Sequence, residues 1–148
     1  ITNKDTTLYE RDTQVKRLLQ RDETLILNQM LTATFDIQNQ SYTFPSMYGH
    51  EPSITIAAKS GTSDWDSLVM GFNPEYTVGI WTGFDDNREL NKQYYTISKE
   101  IFKDTFNGLY KDRTGVWYRP SDRIIEKLVD PIHGNDDPTG SLYWFLKD

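Results

Sequence analysis

The sequence predicts an α+β fold, an antiparallel sheet with packed helices. Three observations carry this. Between residues 53 and 84, three strand-like runs follow one another across short turns, which implies antiparallel neighbours. A segment with helical apolar spacing lies ahead of these runs, at about 21–35. Another lies behind them, at about 97–109.

In chain order, residues 1–19 are polar with scattered apolar positions. Leu8-Tyr9 and Val15 with Leu18-Leu19 read as short edge strands or as a solvated terminus, with turn chemistry at Asn3-Lys4-Asp5. In the segment 21–35, Leu27, Met30, Leu31 and Thr34 fall on one helical face with Phe35 beside them. Asp22 is placed to cap the exposed first-turn amides. Such a stripe is core chemistry, not ligand chemistry. Asp36 to Pro52 is a loop rich in Gln, Ser, Tyr, Pro and Gly, and loops entering a functional strand can carry function.

The first strand is expected over about 53–63 and ends in Ala57-Ala58-Lys59-Ser60-Gly61-Thr62-Ser63. Small residues ahead of the lysine allow close backbone approach. Ser63-Asp64-Trp65 reads as a tight turn. The second strand is expected over about 66–73 and stops at Asn73-Pro74, since proline cannot donate to a ladder. The third, about 76–84, is rich in β-branched and aromatic residues. The lysine box therefore sits on the first member of a three-strand meander. After a charged loop, Thr96 or Ser98 can cap the second helix, with Ile97, Ile101, Thr105 and Phe106 as its apolar face and Gly108 near its end. Beyond it, residues 116–120 and 124–129 read as short extended pieces. Turns follow at 130–134 and 136–140, and the end is apolar and aromatic.

With 148 residues the chain is one ordinary domain by length. Its 36% hydrophobic and 26% charged residues fit a small polar domain or a piece of a larger one whose core is shared. A formal charge of -6 argues against nucleic acid as a partner, because phosphate needs clustered Lys and Arg. The absence of cysteine excludes disulfides, thiolate metal sites and a cysteine nucleophile. His50 and His133 stand alone and read as surface residues, so no metal or other cofactor is expected. The Gly134-Asn135-Asp136-Asp137-Pro138 run lacks the spacing and closing Glu of an EF-hand. No apolar run reaches membrane-span length. A start at Ile1 fits a processed or cut chain with any anchor upstream.

The box followed by Asp66-Ser67-Leu68-Val69-Met70-Gly71-Phe72-Asn73-Pro74 and Thr77-Val78-Gly79-Ile80-Trp81-Thr82-Gly83-Phe84-Asp85-Asp86 resembles the C-terminal half of a class A penicillin-binding protein transpeptidase domain. Four residues alone are a weak signal, and the ordered strands and helix behind them give the match its weight. The resemblance implies the penicillin-binding protein/serine β-lactamase-like fold. It divides the chain into 1–110, the C-terminal portion of the transpeptidase domain, and 111–148, a C-terminal extension. It implies serine acyl transfer that cross-links peptidoglycan stem peptides ending in D-Ala-D-Ala, inhibited by β-lactam antibiotics. The location implied is the extracytoplasmic face of the bacterial cell membrane.

Such chemistry needs a nucleophile, a base, an oxyanion hole and a clamp for the substrate carboxylate. Lys59 places an ammonium where it can attract that carboxylate and tune nearby protonation. Ser60 and Thr62 offer hydroxyls on alternate strand positions, both toward the cleft. Gly61 lets a substrate lie against the strand. By resemblance Lys59 and the Thr62 backbone N–H are catalytic, the latter as oxyanion donor, and Ser60, Gly61, Thr62 and Ser63 bind substrate. The family's Ser-x-x-Lys and Ser-x-Asn motifs are not in this sequence. In the family both lie well over a hundred residues ahead of the box. The chain is therefore expected to be inactive alone and to pair with the upstream half of the same domain. Ala58 stands where the family often has Gly, and Leu68-Val69 where many members have Trp-Phe. The alternatives are a β-lactamase relative and a non-catalytic penicillin-recognition or wall-binding module. The last would use Trp117, Tyr143, Trp144 and Phe145 as an exposed contact surface.

Overall fold

The computed structural model describes residues 2–3, 6–7, 16–41 and 46–147. The architecture is α+β, with antiparallel sheets and two α-helices. β1 (Thr2–Asn3) and β2 (Thr6–Thr7) form a minimal antiparallel pair. Leu8-Tyr9 and Val15 lie outside the described residues, and Leu18 and Leu19 are exposed with no strand.

Helix α1 spans Arg21–Met30 and then tightens into a 3₁₀ turn at Leu31–Phe35. The change of pitch has a local cause. Thr32 Oγ1 donates to the Gln29 carbonyl at 2.7 Å, and Met47 N–H and Asn39 Nδ2 take the carbonyls of Thr34 and Ala33 at 3.1 Å each. The cap is Gln20, not Asp22, and it makes no side-chain capping bond. Asp22 instead faces Arg123 at 3.6 Å. The expected stripe is corrected too: α1 buries Leu25 and Asn28, while Leu27 and Met30 are exposed. The tertiary partner chose the face, because α1 docks on a hairpin formed by the end of the chain.

The central sheet has the order β3 (Ala57–Thr62), β4 (Asp66–Phe72), β5 (Thr77–Gly83). Residues 53–56 run outside the ladder, with Ser53 N–H donated to Asn107 Oδ1 at 2.8 Å. Ser63 closes the first turn by donating its N–H to the Asp66 carbonyl at 2.9 Å and its hydroxyl to Asp66 Oδ1 at 2.6 Å. Asn73 Oδ1 closes the second by accepting from the N–H groups of Glu75 and Tyr76, at 3.0 and 2.9 Å.

Helix α2 (Ile97–Leu109) lies on one sheet face. It buries Ser98, Phe102 and Phe106, whereas the expected Ile97 and Ile101 are 40% and 44% exposed. Ser98 is inside because its hydroxyl meets that of Ser67 at 2.8 Å. Phe102 is inside because Gly71 leaves it room. A Cβ there would stand 2.5 Å from the Phe102 ring and 2.8 Å from the Ala57 carbonyl oxygen. Thr96 precedes the helix but makes no side-chain cap. Met47, Ile56, Ala58, Val69 and Tyr110 complete this core.

The last segment is more ordered than its sequence suggests. β6 (Ile124–Val129) and β7 (Ser141–Leu146) pair antiparallel, from Ile124 opposite Leu146 to Val129 opposite Ser141. Residues 116–120 form no strand. Ile124 and Trp144 meet Leu25 of α1 in a second core, with Ile26, Trp117 and Tyr118 against it. The Gln29 amide bridges helix to hairpin, donating to the Leu142 carbonyl at 2.9 Å and accepting from Trp144 N–H at 3.4 Å.

Candidate functional site

The register of β3 decides which way its backbone points. In an antiparallel pair, residues alternate between those that exchange ladder bonds and those that do not. Ser63 bonds Asp66, so the pairs Gly61–Leu68 and Lys59–Met70 are of the bonded kind. Ser60, opposite Val69, and Thr62, opposite Ser67, are of the other kind. Their N–H and C=O groups therefore turn away from β4 toward the outer edge of β3. Among the described residues no strand pairs with that edge.

The edge opens on a cleft of about 1320 Å³. Lys59, Ser60, Gly61 and Thr62 form one wall, and Met30 at the end of α1 with Ala33 and Thr34 of the 3₁₀ turn forms part of the floor. The opposite wall is the β6–β7 hairpin, with Asp130, His133, Tyr143 and Phe145. Of the sequence-derived site residues, these four of the box come together here. Ser63 belongs to the turn, where its hydroxyl also accepts from the N–H groups of Trp65 and Asp66 at 3.2 Å each.

Lys59 Nζ donates to the Ser60 carbonyl. Ser60 is buried, and its hydroxyl donates to Ser46 Oγ at 2.7 Å. Ser46 Oγ is in turn 3.3 Å from Thr34 Oγ1. Lys99, from α2, donates to the Ser46 carbonyl at 2.7 Å. Burial pushes the Lys99 ammonium below the ordinary lysine range. Among the described residues no carboxylate lies within ion-pair distance of Lys59 or Lys99.

His133 is exposed, as expected, but paired, and His50 departs from the surface reading. His133 Nδ1 lies 2.5 Å from Asp130 Oδ2 on the cleft wall. That bond, with the Ile132 N–H to the same carboxylate, holds Asp130 below the usual carboxylate range. His50 has a side chain only 15% exposed, with Nδ1 3.0 Å from Glu100 Oε1 but not aligned for a hydrogen bond. Among the described residues no three metal-ligating side chains cluster. The Asp-x-x-His spacing was readable in advance. Nothing in the sequence signalled Ser46 or Lys99, since loop and helix meet only through the fold. The tail aromatics are not an exposed surface: Trp144 is buried, and Trp117, Tyr143 and Phe145 are half-buried.

No family model matches the chain. Among curated proteins it is 29% identical over 136 residues to penicillin-binding protein 2D of Bacillus subtilis, which covers 90% of this chain and 20% of that protein. It is 35% identical over 91 residues to penicillin-binding protein 1A of Rickettsia prowazekii, covering 59% of this chain and 12% of that protein. The chain thus spans a fifth or less of the length of these relatives. The crystal structure of penicillin-binding protein 1A from Haemophilus influenzae superposes with a TM-score of 0.64 at 19% identity, over 93% of this chain and 22% of that one. The curated homologues of this chain are therefore penicillin-binding proteins 1A and 2D, matched over part of their length, and its fold is part of the penicillin-binding protein/β-lactamase-like fold.

Proposed function

We propose that this chain is the C-terminal part of a D,D-transpeptidase that cross-links peptidoglycan stem peptides by serine acyl transfer and is inhibited by β-lactams. The observation that carries the reading is the free edge of β3. It bears Lys59-Ser60-Gly61-Thr62 and turns the Thr62 N–H into a cleft, in a chain whose relatives are penicillin-binding proteins. A stem peptide ending in D-Ala-D-Ala would add to this edge as a further strand, bonding the Ser60 and Thr62 backbone. Gly61 leaves the approach open. Lys59 supplies positive charge for the terminal carboxylate, and the Ser60 and Thr62 hydroxyls supply donors. The Thr62 N–H is one of the two donors to the oxyanion. Ser63 contributes by setting the turn that fixes Thr62.

The nucleophile and its base come from elsewhere, since the sequence holds neither Ser-x-x-Lys nor Ser-x-Asn. The upstream half of the same domain is the partner that supplies them. The sheet leaves room for it: the outer edge of β5 is unpaired among the described residues, and Leu68, Met70 and Trp81 are exposed on the face away from α2. Residues 1–110 then belong to the transpeptidase domain, and 111–148 form an extension folded back to wall the cleft. The parent works at the extracytoplasmic face of the bacterial cell membrane. No described helix is long and apolar enough to cross a membrane, which fits an anchor elsewhere in the parent.

Intact-mass spectrometry with benzylpenicillin tests this. The parent protein should gain one drug mass and the 148-residue chain none. Lys59→Ala in the parent should slow acylation by about 100-fold or more, the scale of losing an electrostatic donor. A covalent adduct on this chain alone, or undiminished acylation of the Lys59→Ala parent, would overturn the reading.

A further inference from the structure

The cleft carries charge on both walls. Among the described side chains that line it, the titratable ones are Lys59, Asp130, His133 and Tyr143. Burial pushes the Tyr143 hydroxyl up, so it stays neutral. That leaves a cation on β3 and the Asp130–His133 pair on the hairpin wall, and the carboxylate clamp of the lysine box makes no use of the pair. A peptide lying along the β3 edge occupies the space between these walls. Groups ahead of its terminal carboxylate therefore face the pair.

The turn after β6 fixes the pair in place. Asp130 donates its N–H to the Asn135 carbonyl and accepts the Gly134 N–H on its own carbonyl, at 2.9 Å each. Gly134 closes the turn at a φ of 67°, which glycine adopts without strain. The Asp130 carboxylate takes the Ile132 N–H on Oδ1 at 3.0 Å and meets His133 Nδ1 with Oδ2 at 2.5 Å. The His133 bond above all, and then that of Ile132, favours the ionised form of Asp130, which can only accept. The proton in the shorter contact therefore sits on His133 Nδ1. Nε2 of the neutral ring is left with a lone pair, on an exposed side chain beside a fixed negative charge.

This chemistry selects its ligand. A lone pair next to a carboxylate repels an anion. It bonds a neutral N–H with no help from the charge, and a cationic donor with that help. A primary ammonium offers three donors and no acceptor. The chain supplies no such group itself: among the described residues no lysine or arginine lies within ion-pair distance of Asp130. Ile26, Met30 and Ala33 give the cleft an apolar floor, which suits the methylenes of a long amine-bearing side chain.

We infer that the Asp130–His133 pair is a second subsite of the cleft, binding a primary ammonium on the peptide whose terminal carboxylate is held at the lysine box, with His133 Nε2 as the contacting atom and Asp130 as its positioning residue. This rests on the reading of the cleft given above. It makes the preferred ligand amphoteric and gives the segment after α2 a part in choosing it.

The test is an NMR titration of the chain with two N-acetylated peptides that carry a lysine directly ahead of D-alanyl-D-alanine. One keeps the free side-chain amine and the other has it acetylated, and each is also made as its C-terminal amide. The wild type should bind the acids in preference to the amides, and the free amine about tenfold more tightly than the acetylated form, the scale of one charge-assisted bond. His133→Phe should erase the preference for the free amine, and His133→Gln, which keeps an acceptor, should recover part of it. Asp130→Ala should cut the preference by roughly threefold, the scale of one screened charge. Ring nitrogen shifts should place the proton of the neutral His133 ring on Nδ1 in the wild type and show it leaving that position in Asp130→Ala, which a merely structural role for Asp130 would not produce. If free and acetylated amines bind alike while acid is still preferred to amide, the ammonium subsite is wrong and the cleft reading stands. Retention of the amine preference in His133→Phe, or a wild-type ring proton on Nε2, overturns the subsite in the same way. If the wild type does not distinguish acid from amide, or binds neither, the cleft reading falls and the subsite with it.

Discussion

The two walls of the cleft are built on different terms. The β3–β5 wall rests on a core in which Met47, Val69, Phe102 and Phe106 are completely buried and α2 packs across β4 and β5. The β6–β7 wall rests on a cluster of Leu25, Ile124 and Trp144, each with 7–8% of its surface still exposed, with Val129 of β6 buried apart from it. Polar links make up the difference. Gln29 holds β7 through two bonds, and the Ser141 hydroxyl lies within bonding distance of Asp36 Oδ2 and Gln38 Oε1, at 2.9 and 2.8 Å. Apolar burial is non-directional and cooperative, whereas a few side-chain bonds contribute about 1 kcal/mol each. One wall is therefore a fixed template, and the other can open without unfolding it.

Substitutions that sharpen this contrast differ in size. Phe102→Ala should cost about 3–5 kcal/mol and unfold the sheet cooperatively, read by denaturant melts. Trp144→Ala removes as much surface but should release the hairpin first, so that hydrogen exchange rises in β6 and β7 while β3–β5 stay protected. Equal loss of protection in both sheets would erase the distinction. Gly71→Ala should cost about 1–3 kcal/mol, because its Cβ meets the Phe102 ring and the backbone oxygen of Ala57, and the backbone cannot yield as a side chain can. Gln29→Ala should cost about 1–2 kcal/mol and speed exchange only in the hairpin.

Two carboxylates carry the comparison to acid pH, and theirs is the smallest effect. Glu75, in the first wall, is held below its ordinary pKa mainly by the Tyr110 hydroxyl at 2.5 Å and then by Arg113 at 2.7 Å. Asp130, in the second, is held down mainly by His133. A depressed folded pKa stabilises the protein above the unfolded value, and the contribution disappears as pH falls through the folded value. Both therefore give an acid limb below the usual carboxylate range. Carboxyl NMR titration should show both midpoints lowered, and Glu75→Gln should abolish the limb of the sheet alone. A Glu75 midpoint at the ordinary value would remove this prediction.

Much of the first wall was legible because its signals are local. Alternation, Asn73-Pro74 and the short turns mark the meander, and Lys59-Ser60-Gly61-Thr62 marks the strand with the open edge. The buried helix faces were not legible, because distant partners chose them. Ser98 outranks Ile97 and Ile101 as a core residue only because Ser67 waits opposite it. The second wall was legible only in part: 124–129 reads as extended and forms β6, but its pairing was hidden. Ile124–Val129 has no strong alternation, and its partner strand begins twelve residues beyond its end, after two turns. The contacts of Ser46 with Ser60 and with Lys99 span 14 and 53 positions, which no pattern in one sequence reports.

The uncovered side of the central sheet has a practical consequence. β5 offers a row of unpaired backbone groups beside the greasy surface of Leu68, Met70 and Trp81, and such an edge is a template for any other extended chain. Preparations of the segment on its own should self-associate edge to edge as concentration rises. A lysine placed outward on β5, at Thr77, should suppress this and keep the material soluble, since an edge charge is how natural sheets deter uninvited neighbours.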